Sequence, residues 1–237
     1  MIIMSFPTTQ WTLVAQASLN GDTQARQALD LLCRHYHPPV KAFLRTRGYA
    51  EQEVEDFTQE FFNELLVSKA WQRADRAKGR FRSFILAILM HVVNRQKARA
   101  QAFKRGGGQL ALSLEEITNT AGEPASPTPE SVVFDREWAM ELMRAALAAV
   151  EEHHLKRSPA GHWETLRKFL PGAGKPPAYE EAAATLGVEL EALKSSIFRL
   201  RGQFRDELRK KVAQTVGTAH EVDAELAYLH AVLIAKR

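Results

Sequence analysis

Residues 179–211 read YEEAAATLGVELEALKSSIFRLRGQFRDELRKK: a short helix pattern, a glycine, and a longer basic helix pattern. That order predicts a helix-turn-helix over about residues 179–201. Ala183 is small where the two helices must cross, and Gly187 supplies a turn residue free to take a positive φ. Leu186, Val188, Leu193 and Ile197 form the apolar wedge between the helices. The second helix is left to display Lys194, Ser195, Ser196, Arg199 and Arg201, side chains suited to phosphates and base edges. Its N-terminal part would enter a major groove. An ordinary helical hairpin shares part of this pattern, but the small crossing residue and the basic second helix together favour a DNA reader.

Upstream, Pro171-Gly172-Ala173-Gly174-Lys175-Pro176-Pro177 breaks the chain, and the Ala-rich stretch Phe134–Val150 predicts another helix, capped near Asp135. Residues 106–134 open on Gly106-Gly107-Gly108, hold Gly122, Pro124, Pro127 and Pro129 further on, and have no periodic apolar pattern after Leu114, which reads as a linker. Before it, Val54, Phe57, Phe61, Leu65 and Leu66 recur at helical spacing, as do Phe81, Phe84, Ile85, Ile88, Leu89 and Val92. No alternating strand pattern occurs. The expected fold is all-α: a helical domain over 1–105, a flexible acidic linker over 106–134, a second helical domain over 135–212, and a C-terminal helical extension over 213–237. In that extension Val222, Leu226, Leu229 and Val232 share a helical face, suited to packing or to a regulatory docking role.

The 237 residues hold 32 Lys+Arg against 28 Asp+Glu, and the small net charge of +4 hides strong segregation. Residues 1–112 carry 16 basic and 9 acidic side chains, whereas residues 113–135 carry 5 acidic and no basic ones. From Arg76 to Arg105 there are nine basic residues and no acidic one. A polyanion is the partner such a run fits, although a charge run alone is more often a solvated helix face. Cys33 is the single cysteine, which excludes a disulfide framework or a thiolate metal cluster within one chain. Residues 1–11 lack the charged and apolar regions of a secretory signal, and the longest apolar run, Phe84–Met90, is far short of the ~20 residues a membrane span needs. A cytoplasmic protein without membrane partner is expected.

Glu51–Leu66, EQEVEDFTQEFFNELL, sets Glu55, Asp56, Gln59 and Glu60 on one polar face. An acidic ridge repels phosphates and suits a basic protein surface. The next helix, from Phe81 to about Ala100, turns Phe84, Ile85, Ile88 and Leu89 inward. It leaves Arg82, His91, Asn94, Arg95, Lys97 and Arg99 at or near the surface.

The order EDFTQEFF, then GRFRSFILAILMHVVNRQKARA, then an acidic linker, then YEEAAATLG and ALKSSIFRLR resembles a bacterial extracytoplasmic-function (ECF) sigma factor of the sigma-70 family, over roughly residues 6–235. The resemblance implies a non-enzymatic protein without cofactor or metal, whose partners are core RNA polymerase, through the clamp and flap of its large subunits, and promoter DNA. It leaves room for an anti-sigma or other regulatory protein. By that resemblance 1–105 is region 2 and Glu55, Asp56, Gln59 and Glu60 contact the clamp. Arg80, Arg82, His91, Asn94, Arg95, Lys97 and Arg99 work at the −10 element, where a base is flipped. Residues 135–212 are then region 4, with Lys194, Ser195, Ser196, Arg199 and Arg201 at the −35 element. Ser196 stands where many members carry arginine and Gly202 interrupts the basic run, so −35 contacts should be fewer or differently placed.

Competing readings are less complete. Cys33, His35 and His37 lie close together, but on a helix Cys33 and His37 share a face while His35 points away. The carboxylates of 51–60 could suggest a nuclease, yet no nucleophile elbow, phosphate-binding glycine loop or zinc-helix motif accompanies them. Trp11, Trp71, Trp138 and Trp163 are expected as core or interface anchors. The alternative of another class is a stand-alone helix-turn-helix regulator, which would need a dimer to span two half-sites.

Overall fold

The computed structural model describes residues 14, 23–75, 78–105, 128–159, 161–216 and 218–235. Their order is α1 (Thr23–Thr46), α2 (Glu51–Val67), α3 (Phe81–Arg105), α4 (Pro129–Leu155), α5 (His162–Leu166), α6 (Tyr179–Leu186), α7 (Leu190–Ala213) and α8 (Val222–Ile234), with short 3-10 turns at Ala70–Arg73, Arg167–Phe169 and Ala219–Glu221. Among the described residues there is no strand, as the helical periodicity predicts. Most of the linker, 106–127, lies outside them.

Two compact units form. One takes the described residues up to Glu141 together with those from Ala213 onward, and the other is Leu142–Val212. This division differs from the sequence expectation: the break falls inside α4, and the C-terminal extension joins the first unit. The cause is local chemistry at the start of α4. Trp138 stacks on Tyr36 of α1 with ring centroids 4.9 Å apart, and Tyr36 meets Phe81 of α3 edge-on at 5.6 Å. All three rings are buried, with Phe134 beside them. Aromatic burial of this extent ties the first turns of α4 into the first unit's core.

The helix also begins earlier than Asp135. Thr128 is its N-cap: the Thr128 hydroxyl accepts from the Ser131 N–H (3.2 Å), the Ser131 hydroxyl accepts from the Thr128 N–H (2.8 Å), and Pro129 fills the first helical position. Asp135 therefore points its carboxylate elsewhere.

In the first unit, α2 starts with Glu53 accepting a 2.9 Å hydrogen bond from the Ala50 N–H, half of a capping box. Val54, Phe61 and Leu65 are buried, Phe57 is half-buried and Leu66 is exposed. Phe81, Phe84, Ile85, Ile88, Leu89 and Val92 of α3 are all buried. The second unit packs Ala146, Val150, Trp163, Leu166, Phe169 and Leu170 against Ala182, Ala183, Leu193, Ile197, Leu200 and Phe204. Between α6 and α7, Gly187 takes φ +64°, and the N–H groups of Gly187 and Val188 close the helix end on the carbonyls of Ala184 and Ala183. Trp71, Trp138 and Trp163 are all buried, as anchors should be.

Candidate nucleic-acid interface

On α2 the ridge is only partly open. Glu55 is exposed and ion-paired with Lys41 of α1, while Glu60 is half-buried and receives a hydrogen bond from the Gln96 amide. Asp56 and Gln59 are exposed between them. The acidic face survives in the structure, with Asp56 exposed between the ion-paired Glu55 and the hydrogen-bonded Glu60.

The basic run behaves differently. Arg82, expected near the surface, is 3% exposed. Its Nε donates to Asp135 at 2.9 Å and its Nη1 to Glu225 of α8. Glu225 is itself fully buried, and the Nε of Arg80 stands 2.8 Å from its second oxygen. The Tyr228 hydroxyl donates to Asp135, and the Arg82 guanidinium lies 5.4 Å from the Tyr228 ring centroid. Burial alone would disfavour the charged guanidinium, but the adjoining Asp135 and Glu225 carboxylates outweigh it and hold Arg82 above its ordinary range. Burial and the bond to Asp135 push the Tyr228 phenol up.

His91 is buried as well, and Arg95 forms a two-pronged pair with Glu64 of α2, with Nη1 at 2.7 Å. Arg82 and His91 are thus corrected from surface readers to interior residues in this conformation, and Arg95 is committed to a carboxylate. Asn94 and Lys97 are exposed, with the Lys97 ammonium 5.7 Å from the Tyr49 ring centroid. Arg99 lies on α3, but its side chain falls outside the described set.

Burial lowers the pKa of His91 below its ordinary 6.5, and the nearby Arg95 charge adds to that against a smaller opposite effect of Glu64. The unfolded chain therefore binds the proton more readily than the folded one. Stability contributed by neutral His91 is fully present above the unfolded value and is lost as pH falls through it toward the folded value. Urea midpoints measured from pH 7.5 to 5 should drop with acid, and His91→Gln should flatten part of that drop. An unchanged profile in the variant would contradict the assignment.

On α7 the buried stripe is Leu193, Ile197, Leu200 and Phe204. At 100° per residue the centre of the opposite face is held by Ser195, Phe198, Arg199 and Gly202. Phe198 is 72% exposed, an unusual state for a large aromatic. Sequence reading passed over it, although subtracting the buried stripe leaves it off the core face. Lys194 is exposed and pairs with Glu191 at 2.7 Å. Ser196 and Arg201 flank the core: the Ser196 hydroxyl donates to the Ala192 carbonyl, and Arg201 Nε donates to the Phe169 carbonyl at 3.1 Å. Ser195 and Arg199 are the most outward of the expected readers.

Elsewhere, His35 lies 3.3 Å from Glu141, His37 stacks on Phe62, and burial with the nearby Asp30 charge pushes the Cys33 thiol up to about 11. No group of three or more metal-ligating side chains occurs among the described residues. No helix among them is long and apolar enough to cross a membrane.

Comparison with known proteins bears on part of the first unit. Residues 32–103, which run from mid-α1 through α3, match the Sigma-70 region 2 family. That stretch of the chain is similar to sigma-70 region 2. It is also 25% identical over 213 residues to the ECF RNA polymerase sigma factor SigE of Mycolicibacterium smegmatis, covering 90% of this chain and 74% of that one. No solved structure matches. The α2 ridge and the open part of α3, Asn94 and Lys97, both lie inside the matched span. The Arg82 cluster joins the matched span to two segments outside it, the start of α4 and α8.

Proposed function

We propose that this protein is an ECF-type sigma factor that binds core RNA polymerase and directs it to promoters through the −10 and −35 elements. The observation that carries this reading is a region 2 in the same chain as a basic helix-turn-helix whose outer face is open. The α2 ridge, with Asp56 and Gln59 foremost, is the polymerase contact. Asn94 and Lys97 of α3 are the −10 contacts that remain available without rearrangement, and Arg99 follows them on the same helix. Capturing an unstacked base there costs a few kcal/mol, offset by phosphate and pocket contacts.

At the −35 element Ser195, Arg199 and Lys194 supply polar contacts, and Phe198 adds an apolar one suited to a thymine methyl. Phe198→Ala should weaken binding to a −35 duplex by about three- to tenfold while leaving the unfolding midpoint unchanged, because the ring is solvent-exposed. Equal affinity in a titration would remove Phe198 from the interface. Work on promoters places the protein in the cytoplasm.

The test is transcription from a pool of genomic promoter fragments by bacterial core polymerase with and without the protein. New starts that require both components and share upstream motifs establish the reading. DNA binding without core and without new starts would instead favour a dimeric stand-alone regulator.

A further inference from the structure

The Arg80–Arg82 cluster is built like an anion site that is already filled. Two guanidiniums converge on one carboxylate, Glu225, which is fully buried, and the second carboxylate, Asp135, completes the neutralisation of Arg82. A guanidinium fork fits carboxylate and phosphate by the same geometry. Arg80 and Arg82 sit where the basic run enters α3, the helix proposed to face promoter DNA. The helix that brings Glu225 to them, α8, comes from the far end of the chain, 143 residues from Arg82.

The rest of the α8 contact is modest. Val222, Leu229 and Val232 are buried, Leu226 is half-buried and Ile234 is exposed. Arg136 of α4 donates through Nε to the Val232 carbonyl at 3.1 Å and through Nη2 to that of Ala235, closing the helix end. A joint centred on buried charge opens more readily than an apolar one of equal area, because the separated charges regain their hydration. Water or phosphate can replace each partner of the cluster, whereas nothing replaces a lost apolar contact.

We propose that α8 is a built-in competitor for nucleic acid: Glu225 occupies the Arg80–Arg82 site as a phosphate mimic, and a polyanion gains these guanidiniums only when α8 leaves. The proposal rests on the reading of α3 as a DNA-facing helix. It adds a regulatory site to region 2 that lies partly outside the matched family span. The free protein is then self-restrained at its −10 side, and DNA binding and α8 docking oppose each other with equal strength in both directions.

The experiment uses the full chain and a fluorescent oligothymidylate, titrated across a salt series. Glu225→Gln should bind about tenfold more tightly than wild type at low salt and steepen the salt dependence by about one counterion, the signature of an added phosphate contact. Tyr228→Phe, which removes only the hydroxyl bond to Asp135, should shift binding in the same direction by about threefold and serves if Glu225→Gln fails to fold. Adding Arg80→Ala to either variant should cancel the gain. In wild type, saturating oligonucleotide should speed amide exchange in α8 and not in α1. Unchanged affinity and salt slope in both variants, with α8 still protected in the complex, would overturn the proposal and leave the sigma reading intact. If neither wild type nor variants bind the oligonucleotide, the DNA-facing assignment of α3 falls, and the proposal with it.

Discussion

Arg82→Ala should lower the unfolding free energy by about 3–5 kcal/mol, the range found when one partner of a buried ion pair is removed. The guanidinium is 3% exposed and stands between Asp135 and Glu225. Its loss leaves a fully buried Glu225 with Arg80 alone, and Asp135 with only the Tyr228 hydroxyl. The Glu225 carboxylate cannot reach water without moving α8, and the Asp135 side chain is only 12% exposed. Urea unfolding followed by far-UV circular dichroism should show a large fall in midpoint with little change in slope. A fall of under about 1 kcal/mol would mean that the cluster opens to solvent in the native state, since surface charges contribute no more than that. Arg82→Met with Glu225→Met should recover much of the loss, because apolar side chains of similar volume replace a buried pair at little cost.

The cluster also shows where sequence reading stopped. The helix-turn-helix was legible because its physics is short-range: a small residue at the crossing, a glycine with positive φ, and an apolar stripe at helical spacing all fall within residues 182–204. The α3 core face was legible for the same reason. The start of α4 was misplaced although its signal was present, since Thr128-Pro129 followed by Ser131 is a cap written in sequence and Asp135 only looks like one. Arg82 could not be read locally. Its partners stand 53 and 143 residues away, and a charge run carries no mark of which cations will be buried. The same holds for Arg95, whose partner Glu64 belongs to the preceding helix. The apolar face of α8 was visible as a face, but which unit it covers depends on Glu225 finding Arg80 and Arg82.

Reversing the charge at Asp56 tests the other half of the proposed function and should have the largest effect on binding. Asp56 is exposed on α2 with Gln59 one turn on, whereas Glu55 is held by Lys41 and Glu60 by Gln96. It is therefore the carboxylate of the ridge most available to a basic partner. Asp56→Arg places like charges face to face in that contact and should weaken association with core polymerase by about a hundredfold or more, chiefly through faster dissociation at the contact and slower steering toward it. Because the side chain is exposed, the urea midpoint should stay within about 0.5 kcal/mol of wild type. Asp56→Asn should fall between the two in affinity, since it removes attraction without adding repulsion. Raising salt should shrink the difference between wild type and Asp56→Asn, as screening weakens a contact at the edge of water. Core binding by Asp56→Arg at wild-type strength would show that the polymerase does not use this ridge, and would turn attention to the exposed face of α7 as the chain's principal interaction surface.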